Sequence, residues 1–230
     1  MKIMGLQKLT LLDFPGKTAC TVFTAGCNFR CPFCHNASLV THIEDAPSLT
    51  EEEFFKFLKK RQGILDGVCI TGGEPTLQPD LEEFITKIKD LGYEVKLDTN
   101  GYNPEILKRL IEKGLLNYVA MDIKNSPSSY GKTVGIESFN LSPIEESIDI
   151  LKNNDVDYEF RTTVVKELHT PEDIVNIGKW ISGAKKYFLQ GFVDSGDLIK
   201  NGLHGYNKNE MDKLVKLLKK DVPTAALRGQ

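Results

Sequence analysis

Six times along this 230-residue chain a short apolar run is followed by a stretch with helical spacing of its apolar residues. The runs lie at residues 18–24, 68–71, 93–98, 118–123, 158–165 and 186–190. Between them, Leu81, Phe84, Ile85 and Ile88 show the i, i+3, i+4, i+7 recurrence of an amphipathic helix. Thr50 with Glu53 forms a capping box, Pro104 opens a helix that Gly114 stops, and Thr170 with Pro171 opens another. Further helices are expected over 143–152 and 207–220. Strands alternating with helices imply a parallel sheet joined by right-handed crossovers. About six βα units fall short of the eight of a closed barrel. The expected fold is therefore α/β: a partial, open TIM-like barrel in one domain over residues 1–230. Segments 39–48 and 125–141 lack strong periodicity and read as surface segments near the site or for partner contact. Residues 221–230 show no packing pattern and are expected to fray.

In such folds ligands bind beyond the C-terminal ends of the strands, and the chemistry of this sequence is concentrated there. The first strand runs into GCNFRCPFCHN, residues 26–36, with Cys27, Cys31 and Cys34 separated by three residues and then two. Three thiolates hold three irons of a cubane cluster and leave the fourth without a protein ligand, and an open metal position is a place for chemistry. The competing reading is structural zinc held by Cys27, Cys31, Cys34 and His35. Adjacent Cys34 and His35 would strain to reach one ion, and paired Cys-x2-Cys knuckles are absent. Cys20 and Cys69 sit in apolar strand patterns and read as buried core thiols. Five cysteines, three on one loop, make no disulfide framework and point to a reducing, cytoplasmic setting. Lys and Arg number 29 against 32 Asp and Glu, a net charge of −3 that gives no bulk attraction to nucleic acid or an anionic membrane. No apolar run approaches the roughly 20 residues of a membrane span. The opening residues lack the pattern of a signal peptide.

The remaining strand ends would converge on the same rim. Thr71-Gly72-Gly73-Glu74 reads either as a tight βα turn or as backbone without Cβ atoms to which a ligand comes close. Its glycine carbonyls would then accept from an ammonium, with Glu74 orienting the loop. Asp98-Thr99-Asn100-Gly101 ends the third strand and Asp122-Ile123-Lys124 the fourth. Two neighbouring carboxylates need a cation between them, either Lys124 or a monovalent metal ion. Lys124 can equally face a ligand carboxylate, and a surface ion pair is the bland alternative. Arg161 lies among β-branched residues and needs a partner if it points into the barrel. Gln190 reads as a ligand contact or a satisfied core amide. His169 reads as a surface residue at a helix start, and His42 and His204 carry no readable role.

The Cys-x3-Cys-x2-Cys loop, with aromatic Phe33 before its last cysteine, resembles the cluster loop of the radical S-adenosylmethionine (SAM) enzymes. Most of the chain shares the resemblance, because the Gly72, Asp98, Asp122 and Arg161 motifs follow in the expected order. The last three are similar to those of glycyl-radical-enzyme activases. The opening GLQKLTLLDFPGK, residues 5–17, is most similar to activating proteins of anaerobic ribonucleoside-triphosphate reductase, in which this segment faces the substrate.

The resemblance implies one [4Fe-4S] cluster on Cys27, Cys31 and Cys34, with SAM chelating the open iron. Gly72 and Gly73 would receive its ammonium and Lys124 its carboxylate, with a monovalent cation held by Asp98 and Asp122 beside it. Phe33, Cys34 and His35 would border the adenine, and Arg161, Val164 and Gln190 the nucleoside side. Glu74, Thr99, Asn100 and Ile123 belong to the same cofactor-binding loops. A 5′-deoxyadenosyl radical would take hydrogen from the C-terminal glycine loop of a glycyl radical enzyme, with the electron drawn from a flavodoxin- or ferredoxin-type donor. Where Gln190 aligns, the pyruvate formate-lyase activase carries a histidine. Cys20 and Cys69 are too far apart in sequence for the extra cluster segment of some activases. A pyruvate formate-lyase-type activase and a small-molecule enzyme like 7-carboxy-7-deazaguanine synthase are the alternatives.

Overall fold

Helix starts are written locally. Thr50, Thr170 and Asn207 each cap a helix reciprocally with the acid three residues on, Glu53, Asp173 and Glu210. Each box satisfies backbone N–H groups that the first helical turn would leave unpaired. The computed structural model describes residues 1–41, 43 and 48–229, so His42 lies outside the described residues. Its helices are α1 (Ala37–Thr41), α2 (Glu51–Lys59), α3 (Leu81–Asp90), α4 (Pro104–Glu112), α5 (Tyr130–Val134), α6 (Ser142–Lys152), α7 (Pro171–Trp180) and α8 (Lys208–Leu218).

Six strands alternate with these helices and pair in parallel in chain order. They are β2 (Ala19–Thr24), β3 (Gly67–Gly72), β4 (Glu94–Thr99), β5 (Tyr118–Asp122), β6 (Asp157–Val164) and β7 (Tyr187–Gly191). Two more strands flank them: β1 (Ile3–Thr10), antiparallel to β2, and β8 (Ala226–Arg228), parallel to β7. The order runs β1 to β8 without closing, giving an open barrel of six βα units.

Successive strand residues point to opposite faces, and the two faces differ in chemistry. Val68, Ile70, Val95 and Leu97 meet Leu81, Phe84, Ile85 and Ile88 of α3 in the layer between sheet and helices. Each such side chain contributes about 1.5–3 kcal/mol when fully buried, so this outer layer carries the stability. The inner face is polar: Thr21, Lys96 and Glu159 are buried on it. Every buried polar side chain among the described residues has a hydrogen-bond partner.

Several expectations are corrected. The tail does not fray: β8 docks on β7, and Arg228 reaches buried Glu159. The segment 125–141 is no surface loop, since it folds into α5 and buries Asn125, Ser126 and Tyr130. His169 is fully buried. Cys69 is buried but faces the polar interior, with Lys96 Nζ at 3.7 Å and Asp98 Oδ1 at 3.8 Å. Thr10 pairs with Ala19 while Ile3 pairs with Thr24, so residues 11–17 lie at the rim opposite the cysteine loop. Of the segment 5–17 expected to face substrate, residues 5–10 therefore run along β2 within β1, and residues 11–17 lie at the far end. Within it, Asp13 accepts from Thr21 Oγ1 at 2.5 Å and Phe14 is buried against Ala19 and Tyr118.

Candidate active site

Past the end of β2, at the top of the barrel, the chain turns at Gly26, whose φ of +80° is left-handed, and enters the cysteine loop. Four neighbours pin this loop. Gly26 N donates to Leu39 O at 2.9 Å, and Gly26 O accepts from Glu74 N at 2.7 Å. Arg30 N donates to Val134 O at 2.9 Å, and Pro32 O accepts from Lys200 N at 3.0 Å. These four backbone hydrogen bonds tie the loop to α1, the Glu74 turn, α5 and the segment before α8. Cys27, Cys31 and Cys34 all line one cleft of about 230 Å³. One water occupies about 30 Å³, so a lone ion would leave most of the cleft empty. Among the described residues no three Cys, His, Asp or Glu side chains are placed to hold a single metal ion. Thiols that share a cleft without converging on one point suit a multi-iron cluster, in which each ligates a different iron. Burial pushes the Cys27 thiol up to about 11 and Cys31 up to about 12. A bound metal's positive charge would favour the thiolate forms that burial disfavours. Cys27 Sγ already has two donors, Phe29 N at 3.4 Å and Asn100 Nδ2 at 3.9 Å.

The wall beside the cysteines comes from the ends of β3 and β4. Gly72 has φ +123°, and a Cβ there would lie 2.2 Å from Thr24 N; at Gly73 it would lie 1.8 Å from Gly26 O. Gly72 is required by contact with the backbone of β2 and Gly73 by contact with Gly26 of the cysteine segment, a tighter constraint than approach by a ligand. Asn36 Nδ2 donates to Gly72 O at 3.1 Å. Glu74 is buried and joins the two loops: its carboxylate accepts from Thr76 Oγ1 at 2.6 Å, Thr99 Oγ1 at 2.7 Å and Asn100 N at 2.6 Å. Burial raises its pKa despite these bonds. Asn100 Oδ1 accepts from Tyr102 N at 3.0 Å, which turns its amide nitrogen toward Cys27 and Asn28.

The floor is charged. Arg161 Nε donates to Asp122 Oδ1 at 2.9 Å and Arg161 Nη1 to Asp98 Oδ2 at 3.2 Å. Lys124 Nζ donates to Asp122 Oδ2 at 2.8 Å, and Lys96 Nζ pairs with Asp98 Oδ1. Burial works against the charge on Asp122, but Arg161 and Lys124 more than offset it and hold its carboxyl down to about 2. The partner expected for Arg161 is thus the acid pair. The Arg161 guanidinium bridges Asp98 and Asp122, and Lys124, one of the two cations the sequence offers for this place, pairs with Asp122 alone.

The far wall holds Gln190, Thr163 and His35. His35 stacks on Phe192 at 5.4 Å and contacts Val193 O through Nε2 at 2.9 Å. Phe33 meets His169 edge-on at 6.2 Å. Val165 N donates to His169 Nδ1 at 3.1 Å, leaving the Nε2 hydrogen for Lys124 O at 2.8 Å. Strand alternation removes two expected residues from the cleft: Ile123 and Val164 belong to the apolar core, and Thr163 takes the inward position. Lys96, Thr163, Asn36 and Phe192 were not anticipated. The first two had a signal, since each lies two residues from an inward-facing charge on the same strand.

The profile of the radical SAM superfamily matches residues 21–197, from the strand before the cysteines to the loop beyond β7. The chain belongs to the radical SAM superfamily. It is 35% identical over 234 residues to a Methanocaldococcus jannaschii protein named "Putative glycyl-radical enzyme activating enzyme", covering 98% of this chain and 95% of that one. It is 34% identical over 133 residues to the pyruvate formate-lyase-activating enzyme of Clostridium pasteurianum, covering 54% of this chain and 52% of the other. Among solved structures, SuiB of Streptococcus suis bound to precursor peptide SuiA superposes with a TM-score of 0.69 at 15% identity, over 91% of this chain and 48% of that one. Membership in the radical SAM superfamily implies a [4Fe-4S] cluster and SAM. The donor set fits: the three thiols line one cleft together with Gly72 and Gly73, the charged groups Asp98, Asp122, Lys124 and Arg161, and the rings of Phe33 and His35.

Proposed function

We propose that this radical SAM enzyme is an activase that installs a glycyl radical on a partner enzyme. The observation that carries the reading is the end-to-end similarity to the M. jannaschii activating-enzyme homologue. The similarity of residues 5–17 to activating proteins of anaerobic ribonucleoside-triphosphate reductase makes that enzyme the proposed partner, with a flavodoxin or ferredoxin as electron donor.

The chain's own residues would divide the work. Cys27, Cys31 and Cys34 hold the cluster. Gly72, Gly73, Thr99 and Asn100 border the ammonium end of SAM, Lys124 its carboxylate, and Phe33, His35 and Gln190 its nucleoside. Cluster and SAM together supply reductive cleavage of a sulfonium and a carbon radical that abstracts hydrogen. The protein's part is positioning: the pinned cysteine loop and the Glu74 bridge hold both ligands in one frame.

The test is electron paramagnetic resonance of reconstituted protein mixed with reductant, SAM and the reductase. A glycyl radical doublet is expected. Failure to give one with any glycyl radical enzyme sinks the proposal. A second reading, a small-molecule radical SAM enzyme, is favoured by 34% identity over 137 residues to a probable GTP 3′,8-cyclase of Saccharolobus solfataricus. That match covers only 55% of this chain and 42% of the cyclase, which leaves it behind.

A further inference from the structure

The floor of the cleft holds more positive than negative charge. Its acids are Asp98 and Asp122, and its bases are Lys96, Arg161 and Lys124. All four carboxylate oxygens carry a cationic donor: Lys96 and Arg161 on Asp98, Arg161 and Lys124 on Asp122. Among these five groups two negative charges stand against three positive, a surplus of one within the floor, with Lys96 beneath the lining. Glu74, the other acid lining the cleft, makes its hydrogen bonds to Thr76, Thr99 and Asn100. Lys96 is 1% exposed and sits beneath Asp98, with the Cys69 thiol as its other neighbour.

This arrangement is built for an anion. A metal cation bound by the acid pair would have to displace Arg161, whose rigid fork bridges both carboxylates, or enter beside a cluster of like charge in a medium of low dielectric. A carboxylate meets the opposite field: it finds the surplus charge and the remaining hydrogens of the Lys124 ammonium, which is 20% exposed toward the cleft. We infer that Arg161 is the permanent counter-ion of Asp98 and Asp122, and that the floor takes the carboxylate of the bound cofactor without any monovalent metal ion. Lys96 is a positioning residue in this scheme, holding one Asp98 oxygen so that the other faces Arg161. The inference rests on SAM being the ligand, which superfamily membership implies, and not on the identity of the partner enzyme.

The experiment is equilibrium binding of SAM to the anaerobically reconstituted protein, in potassium chloride and in tetramethylammonium chloride at equal ionic strength. Tetramethylammonium is too bulky to sit between two carboxylates. The wild-type dissociation constant is expected to agree between the salts within about twofold. A loss of about tenfold in tetramethylammonium would overturn the inference. Arg161→Gln removes the built-in cation: it is expected to bind poorly in tetramethylammonium and to recover about tenfold with potassium. Wild-type affinity in both salts for Arg161→Gln would also overturn it. The wild-type comparison decides alone if the variant does not fold. Failure of the activase reading leaves a separate mark, SAM binding without any glycyl radical.

Discussion

Replacing Arg228 by leucine asks whether the last strand belongs to the fold. Glu159 is fully buried on the inner face of β6. Its carboxylate is held by both terminal nitrogens of Arg228, one at 2.7 Å, and by the Tyr118 hydroxyl at 2.8 Å. The guanidinium also lies over the Phe188 ring, 3.8 Å from its centroid. Without Arg228 a buried carboxylate keeps one neutral donor. Breaking a buried pair from one side costs about 3–5 kcal/mol. Arg228 is 30% exposed, so water reaches the orphaned group and the lower end applies. A loss of about 3 kcal/mol lowers Tm by roughly 6–12 °C in a chain of this size. The assay is thermal unfolding by circular dichroism, anaerobically and at fixed iron and SAM, so that ligand linkage stays constant. The double variant Glu159→Leu/Arg228→Leu removes the charge with its partner and is expected to recover roughly half the loss. A single-variant loss below about 1 kcal/mol, the range of an exposed ion pair, would refute the argument. So would a double variant no more stable than the single.

Three other outcomes are expected. Cys31→Ser abolishes iron binding and the brown colour of the anaerobic protein, whereas Cys69→Ser, away from the cluster loop, keeps full iron; colorimetric iron assay separates them. Asn100→Leu removes the amide donor to Cys27 Sγ and lowers the cluster's midpoint potential, measured by redox titration with paramagnetic detection. Burial works to raise the Asp173 pKa, but hydrogen bonds from Ser126, Thr170 and Ser129 more than offset it and hold the carboxyl down to about 2. A depressed folded pKa means stability present above the unfolded value near 4 and lost as pH falls toward 2. Asp173→Asn is therefore expected to cost about 2 kcal/mol at pH 7, with most of the difference from wild type lost as pH falls from about 4 to 2 in urea unfolding.

What could be read without coordinates was local. The Thr50–Glu53 and Thr170–Asp173 caps, the apolar stripe of α3 and the six strand–helix alternations each depend on residues a few positions apart. The three thiols on one loop are likewise a short-range fact. Alternation within a strand is also legible, and it assigns Val164 and Ile123 to the core, because Arg161 and Asp122 occupy the inward parity. The buried His169 was hidden for another reason. Its partners are the backbone of Val165 and of Lys124, and only the folded corner between β5 and β6 brings those together.

The fold class and the seat of the chemistry are consequences of the chain's own periodicity and of where its cysteines, glycines and acids fall. The partners of the charges are not. Arg161 meets Asp122 across 39 residues and Asp98 across 63, and Arg228 meets Glu159 across 69. Such encounters depend on which strands are neighbours and in what register, as when β5 and β6 set Asp122 beside Arg161. Only assembly of the sheet selects among the cations that an aspartate accepts. It set Arg161 between the acid pair, turned a short tail into an edge strand and carried residues 11–17 to the rim away from the cysteines.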